Sequence, residues 1–323
     1  WGGDPRNDWR TVLRKHGCAI THSSFAVRAV QKAMGKDFPV WSIPAPVWDG
    51  YAKDYRKEKV SASSNGFDLS FNGIVVDFQG CDVPSASVEN GAEDFIEKQV
   101  HSTGDKKAGI HLEGIIYTTI FNPNDGRKNW TDLLWGFIWA FRDVEDATLV
   151  MKLAYYDYDT VRPMVIHEIK KLAPFKCRVV ALHGYLKDRE YSELIRGSTY
   201  IVNTAHGEGQ CLPLMEYMSA GKPAIAPNHT AMEDYVNERN AFVVKSSVEW
   251  IPWPHDPRHV LRTFRYRINW ESLYQAYLDS YQVAKNNPVR YRCMSRHAVK
   301  SLKKYCSETA AARKMKKVLC KRL

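Results

Sequence analysis

A chain of 323 residues is long enough for two units, each with its own hydrophobic core. Its 44% apolar and 25% charged residues exclude disordered and collagen-like classes, and no window is apolar over the length a membrane span needs. The 46 Lys and Arg against 36 Asp and Glu leave a net charge of +10, which directs attention to anionic ligands or surfaces.

The opening, Trp1-Gly-Gly-Asp-Pro-Arg-Asn-Asp-Trp9, has neither a Met nor a basic-then-apolar leader, so a chain cut from something longer is expected. Apolar spacing then predicts a helix over 8–16, a strand over 18–22, a helix over 24–34 and a strand over 39–43, closed by Pro44-Ala-Pro46. His22 follows the first of these strands. Residues 83–108 are rich in Ser, Gly, Asp, Glu and Lys and read as a connection, so 1–108 forms a thin first unit with its linker.

From about residue 110 the pattern alternates. Strands are expected at 114–121, 148–155, 177–183, 199–204, 222–226 and 241–245. Helices are expected at 161–172, 188–197, 213–220 and 230–237. Trp130, Leu133, Leu134, Phe137, Ile138 and Phe141 recur at helical spacing behind Asn129, a candidate cap. This alternation indicates βαβ units and a parallel sheet, giving a second unit over 109–265. Residues 266–323 read as helices that return to the first unit.

Ligands of such sheets bind outside the carboxyl ends of the strands. The run His206-Gly-Glu-Gly-Gln-Cys-Leu-Pro-Leu-Met-Glu216 follows the strand ending near Thr204. Gly207 and Gly209 flank Glu208 and leave its backbone open to a ligand. Pro213 suits the first turn of a helix, and the N–H groups of Gln210, Cys211 and Leu212 are then available to a diphosphate. Glu208 and Glu216 are acceptor-only groups suited to sugar hydroxyls, although both also read as ordinary carboxylates near a helix start. Phe121-Asn-Pro-Asn-Asp-Gly-Arg-Lys-Asn-Trp130 is a turn at the same edge, and its Arg127 and Lys128 are candidate phosphate cations. His206, His183 and His22 each end a strand-like run and read equally as structural residues. Trp48, Trp250 and Trp253 are candidates for stacking on sugar rings.

Several classes are excluded. The seven cysteines never form Cys-x-x-Cys and no His-Glu-x-x-His occurs, so neither a disulfide framework nor a metal site is indicated and a reducing compartment is favoured. No Gly-x-Gly-x-x-Gly or Walker loop follows a strand. No nucleic-acid recognition signature is present. The cations of 290–322 read either as a solvated helical face or as attraction to an anionic partner, membrane lipid or a phosphorylated substrate.

Over about 110–245 the chain resembles retaining glycosyltransferases of the GT-B type and is similar to glycosyltransferase family 4. The resemblance rests on Glu208-Gly-Gln-Cys-Leu-Pro-Leu-Met-Glu216, a Glu-x7-Glu signature, continued by Ser219-Ala-Gly-Lys-Pro-Ala-Ile-Ala226. It implies an α/β fold of two Rossmann-like lobes with parallel sheets, the first truncated, and metal-independent transfer of a hexosyl or deoxyhexosyl group with retention of configuration. By resemblance Glu208 contacts the donor sugar and Glu216 the nucleotide ribose, while Lys128 and Arg127 hold the diphosphate. Catalysis then falls to Glu208 and Lys128. Donor binding falls to Glu216, Arg127, Gly207, Gly209, Gln210, Cys211, Leu212 and His206, and His22 is the acceptor-side candidate. No cofactor is implied, the nucleotide-sugar being a substrate. The acceptor is a glycan or a lipid-linked sugar, and no nucleic acid takes part. The implied setting is polysaccharide biosynthesis in the cytoplasm, with peripheral contact at the inner membrane face. Arg127 and Lys128 are adjacent where the family spaces its Arg and Lys, Cys211 stands where many members have Gly, and a glycine-rich first loop is absent. A non-catalytic nucleotide-sugar or glycan-binding protein is therefore the rival reading.

Overall fold

The front of the chain folds as short, turn-bounded elements: α1 (Trp9–His16), β1 (Ala19–Thr21), α2 (Ser24–Met34), β2 (Val40–Ser42) and α3 (Trp48–Lys57). A computed structural model describes residues 9–57, 64–80, 95–103, 106–254 and 256–320. The two strands pair in parallel, with Ile20 opposite Trp41. Ser23 starts α2 because its hydroxyl accepts from the Ala26 N–H at 3.2 Å. Gly35, at φ 105°, ends the helix in a conformation that costs other residues more.

The main body is one mixed sheet. Its elements are β3 (Ser64–Phe71), β4 (Ile74–Gly80), β5 (Phe95–His101), β6 (Ala108–Phe121), α4 (Trp130–Phe141), β7 (Ala147–Leu153), α5 (Tyr158–Lys170), β8 (Arg178–His183), α6 (Asp188–Gly197), β9 (Tyr200–Val202), α7 (Leu212–Ser219), β10 (Ala224–Ala226) and β11 (Ala241–Val243). The strand order is β11-β10-β9-β6-β7-β8-β4-β5, and β3 lies against the first half of β6. The strands from β6 to β11 are mutually parallel. The expected βαβ rhythm is therefore present, the strands lying close to their anticipated bounds except β6, which begins at Ala108 rather than at residue 114.

Three expectations need correction. The stretch 83–108 is not simply a connection: Phe95–His101 is a strand, antiparallel to β4, while 81–94 lie outside the described residues. The strands β3 and β4 belong to the large sheet and run antiparallel to β6 and β8, so the sheet is mixed and residues 64–101 extend it. Residues 230–237 form a short 3-10 turn over Thr230–Asp234 rather than an α-helix.

The hairpin of β12 (Ser246–Pro252) and β13 (Arg262–Ile268) follows, then α8 (Trp270–Asn286), α9 (Pro288–Cys306) and α10 (Glu308–Leu319). Gly136 lets α8 approach α4 closely, since a Cβ there would stand 3.0 Å from Leu273. Tyr117, Phe137, Phe141, Tyr200 and Tyr277 form a buried aromatic cluster beneath this contact. Each such pair adds about 0.5–1.5 kcal/mol beyond its buried area.

The last two helices return to the front unit. Trp48 is buried and its indole N–H donates to the Val299 carbonyl at 3.0 Å, which makes it a packing residue. The Tyr305 hydroxyl donates to the His22 carbonyl at 3.0 Å, and Ala311 and Val318 pack on Ile43. Among the described residues no helix is long and apolar enough to cross a membrane.

Candidate functional site

The chain leaves β6 toward β7 and β8 on one side, and β9 leads to β10 and β11 on the other. The crevice between the carboxyl ends of β6 and β9 is thus the topological switch point, the position where doubly wound sheets bind ligands. Two loops meet there. After β6, Asn122 Oδ1 accepts from the Asn124 N–H at 3.0 Å, and Asp125 Oδ1 accepts from the Arg127 N–H at 3.1 Å. These bonds wind Gly126–Lys128 into a 3-10 turn that presents Arg127 and Lys128. Asn129 then takes a left-handed conformation at φ 49°. It occupies the N-cap position but makes no side-chain cap, correcting the expected role. Its amide instead donates to Asp132 and to the Thr204 carbonyl.

The second loop is tied to the first. The Thr204 hydroxyl donates to the Asn129 carbonyl at 2.9 Å, and the His206 N–H donates to the Arg127 carbonyl at 2.8 Å. The Thr230 hydroxyl accepts from the Glu208 N–H at 3.0 Å. The His229 ring, stacked on Tyr266, bridges the Ala205 carbonyl and the Ser246 hydroxyl. Hairpin and loop are thereby held together.

Inside this frame Lys128 Nζ donates to Glu208 Oε1 at 2.8 Å, and Arg127 Nη1 donates to Glu208 Oε2 at 2.8 Å. Arg127 also reaches the Gly207 carbonyl at 2.6 Å and Asp125 at 2.8 Å. The Glu208 side chain is 5% exposed, against 19% for Lys128 and 44% for Arg127. Burial works against the guanidinium charge, but Glu208 and Asp125 outweigh it and raise the Arg127 pKa above its ordinary value. Both cations are directed at one carboxylate.

The start of α7 adds further donors. Cys211 precedes it at φ 61°, a left-handed residue where the resemblance offers Gly, and its sulfur accepts from the Asn203 amide at 3.2 Å. Such a conformation costs a non-glycine residue about 1–2 kcal/mol and marks a position under constraint. The Gln210 side-chain nitrogen is buried without a partner among the described residues, and Leu212 at the helix start is 43% exposed. Gly207 and Gly209 do not adopt positive φ, and the space beside Gly209 is open.

Glu216 keeps different company. Its Oε2 accepts from the Tyr191 hydroxyl at 2.5 Å, and Tyr51 of α3 hydrogen-bonds to it as well. Burial raises its pKa despite those two donors. The structure thus brings Arg127, Lys128, His206, Gly207 and Glu208 together and places Glu216 where α7 meets α6 and α3. His22 does not join the cluster; its ring faces the Ile43 carbonyl at 3.2 Å. Asp125, Asn203, Thr230, Tyr51 and Tyr191 were not anticipated. Only Asp125, in the Asn-Pro-Asn-Asp-Gly turn, carried a local signal.

The family model described as Glycosyl transferases group 1 matches residues 160–251, which include both glutamates. A protein of Sulfolobus islandicus filamentous virus, provisionally named glycosyltransferase 48, is 27% identical over 162 residues, covering 48% of each chain. The chain therefore spans about half the length of this curated relative. Among solved structures, a glycosyltransferase from Rickettsia africae aligns with a TM-score of 0.59 at 14% identity over 97% of this chain and 67% of the other. A protein from Anabaena determined in complex with UDP and glucose aligns with a TM-score of 0.59 at 12% identity over 98% and 69%. Sucrose-phosphate synthase from Thermosynechococcus elongatus aligns with a TM-score of 0.55 at 12% identity over 99% and 64%. At such identities the likeness speaks of fold, and the fold is the expected one: α/β, of the GT-B type, with Rossmann-like lobes.

Proposed function

We propose that the protein is a glycosyltransferase that moves a sugar from a nucleotide-sugar to an acceptor hydroxyl with retention of configuration. The observation that carries this reading is the convergence of Lys128, Arg127 and Glu208 at the switch point, beside the open start of α7 and the Gln210 side-chain nitrogen, which has no partner among the described residues. The match of 160–251 to the group 1 family supports it.

In this reading the donor diphosphate lies between the two cations and the first turn of α7. Negative charge grows on it as the glycosidic bond breaks, and donors already in place stabilise that charge without reorganising. Glu208, freed from part of its ion pairing, accepts hydrogen bonds from the sugar hydroxyls, and Glu216 takes the ribose once the Tyr191 and Tyr51 hydroxyls yield. The acceptor is a glycan or lipid-linked sugar arriving from the front unit.

A rival reading is favoured by one observation: both oxygens of Glu208 are already committed to cations. A protein that binds a nucleotide-sugar without turnover would also show this. Thermal shift against a panel of nucleotide-sugars, followed by product analysis of the responding donor, separates the two. A ligand at a hundred times its dissociation constant adds about 2.7 kcal/mol to stability. Binding with neither transfer nor hydrolysis selects the binder, and no response from any nucleotide-sugar defeats both.

A further inference from the structure

Lys152 is the one ionisable side chain in the parallel run of β7, one residue before the strand's carboxyl end. Strand alternation sets its direction. Met151 and Leu153 enter the core beneath α4, α5 and α8, whereas Val150 packs with Leu186 and Leu194 on the α6 side. Lys152 shares the Val150 face. Its ammonium donates to the Leu153 carbonyl at 3.0 Å, and no ion pair links it to a carboxylate among the described residues. Desolvation alone lowers its pKa to about 8. An ammonium has three donors, so this one is short of acceptors in a place where water is scarce.

Its neighbours place it relative to the site. In the sheet Lys152 stands between Ile120 of β6 and Leu182 of β8. Ile120 packs on the cluster that holds Cys211 and Met215, against which Tyr51 and Tyr191, the partners of Glu216, also pack. Adjacent strands lie about 4.8 Å apart, so Lys152 is one strand beyond the crevice that holds Lys128 and Glu208. If the diphosphate occupies that crevice and Glu216 takes the ribose, the next group along the donor is its base.

We propose that Lys152 determines nucleotide specificity by donating to an oxo group of the donor's base, selecting uracil- or guanine-type nucleotides over adenine-type ones. This rests on the donor reading given above. Adenine presents an amino donor where guanine presents its 6-oxo group and has acceptors only at its ring nitrogens, so a desolvated ammonium directed at an oxo position meets an acceptor in the oxo bases and a repelling donor in adenine. A buried donor left without its acceptor is the kind of contrast that yields strong discrimination.

Calorimetric titration of the whole chain with UDP, GDP, ADP and inorganic pyrophosphate tests this, using wild type, Lys152→Met and Lys152→Gln. The wild type is expected to bind UDP or GDP at least about tenfold more tightly than ADP. In both variants that ratio is expected to fall by about tenfold while pyrophosphate affinity stays unchanged. Replacing a desolvated charge by Met should not lower the unfolding midpoint, which serves as the folding control. Equal weakening of all four ligands would make Lys152 a phosphate contact and overturn the inference, as would an unchanged ratio. Failure of wild type to bind any nucleotide would sink the donor reading itself, whereas binding with unchanged discrimination sinks this inference alone.

Discussion

Lys128 and Glu208 meet at 2.8 Å across the crevice between β6 and β9, one on the loop that leaves the first strand of the parallel set and the other on the loop that leaves β9. Glu208 shares its two oxygens between Lys128 and Arg127 in a place where the carboxylate is almost wholly removed from water. In the proposed reading, a diphosphate entering the crevice competes with Glu208 for the same ammonium. The pair frames the crevice and, on that reading, is the contact that a donor would displace.

Glu208→Gln keeps the side chain's size and removes that competition. Affinity for a nucleoside diphosphate is expected to rise by about 1 kcal/mol, the scale of a partly exposed ion pair. Transfer is expected to fall by about a hundredfold, because a charged acceptor for the sugar is lost. Titration with UDP or GDP beside a transfer assay reads both. A fall in diphosphate affinity would show that the carboxylate does not compete.

Glu216→Gln tests the second carboxylate through pH. Burial raises the folded pKa of Glu216 above its ordinary value of 4.5, so between 4.5 and that raised value the native state holds more protons than the unfolded state. Stability from this group is then present in acid and lost as pH rises through the window. Replacement by Gln should remove that loss, so that the difference in unfolding midpoint between variant and wild type grows from pH 4.5 upward. A difference independent of pH would mean that the Tyr191 and Tyr51 hydroxyls already compensate for the burial.

How much of this could be read from residues alone depends on the range of each interaction. The strands from β6 to β11 and the helices between β6 and β10 are legible because each strand is a short apolar run closed by turn residues. Strand β5, Phe-Ile-Glu-Lys-Gln-Val-His, sits at a sheet edge and carries polar residues, so it reads as a connection. Glu208 and Lys128 are legible only as residues at one carboxyl edge; their contact depends on β6 and β9 being neighbours, which no local pattern shows. The partners of Glu216 are not legible either, because Tyr191 and Tyr51 arrive on other helices through packing. Nor does the left-handed Cys211 follow from its own residue type; its sulfur meets Asn203 across the loop.

His229 makes the hairpin junction sensitive to acid. Its Nε2 contacts the Ala205 carbonyl at 3.0 Å and must donate, leaving Nδ1 to accept from Ser246 at 2.7 Å. Burial lowers its pKa from 6.5 to about 4. Between those values the unfolded chain binds the extra proton, so stability present above pH 6.5 is lost on acidification toward pH 4, by roughly 3 kcal/mol at most. His229→Gln should flatten the profile of unfolding midpoint against pH in that interval. An unchanged slope would assign the acid sensitivity to other groups.

The front unit rests on the main body through Asp234. Its carboxylate accepts from the Ser24 N–H at 2.8 Å at the start of α2 and from the Ser24 hydroxyl, Tyr305 approaches it at 3.4 Å, and Arg28 pairs with Glu233 alongside. Because α2 has no fully buried residue, these polar contacts carry much of its attachment, and an anion at a helix start contributes a further few tenths to about 1 kcal/mol. Asp234→Asn is expected to weaken the attachment by about 1–2 kcal/mol. Amide exchange in β1 and α2 should then speed up about tenfold while β6, β7 and β8 keep their protection, since local opening need not involve the sheet. Equal acceleration in both regions would mean that front unit and sheet unfold as one cooperative body.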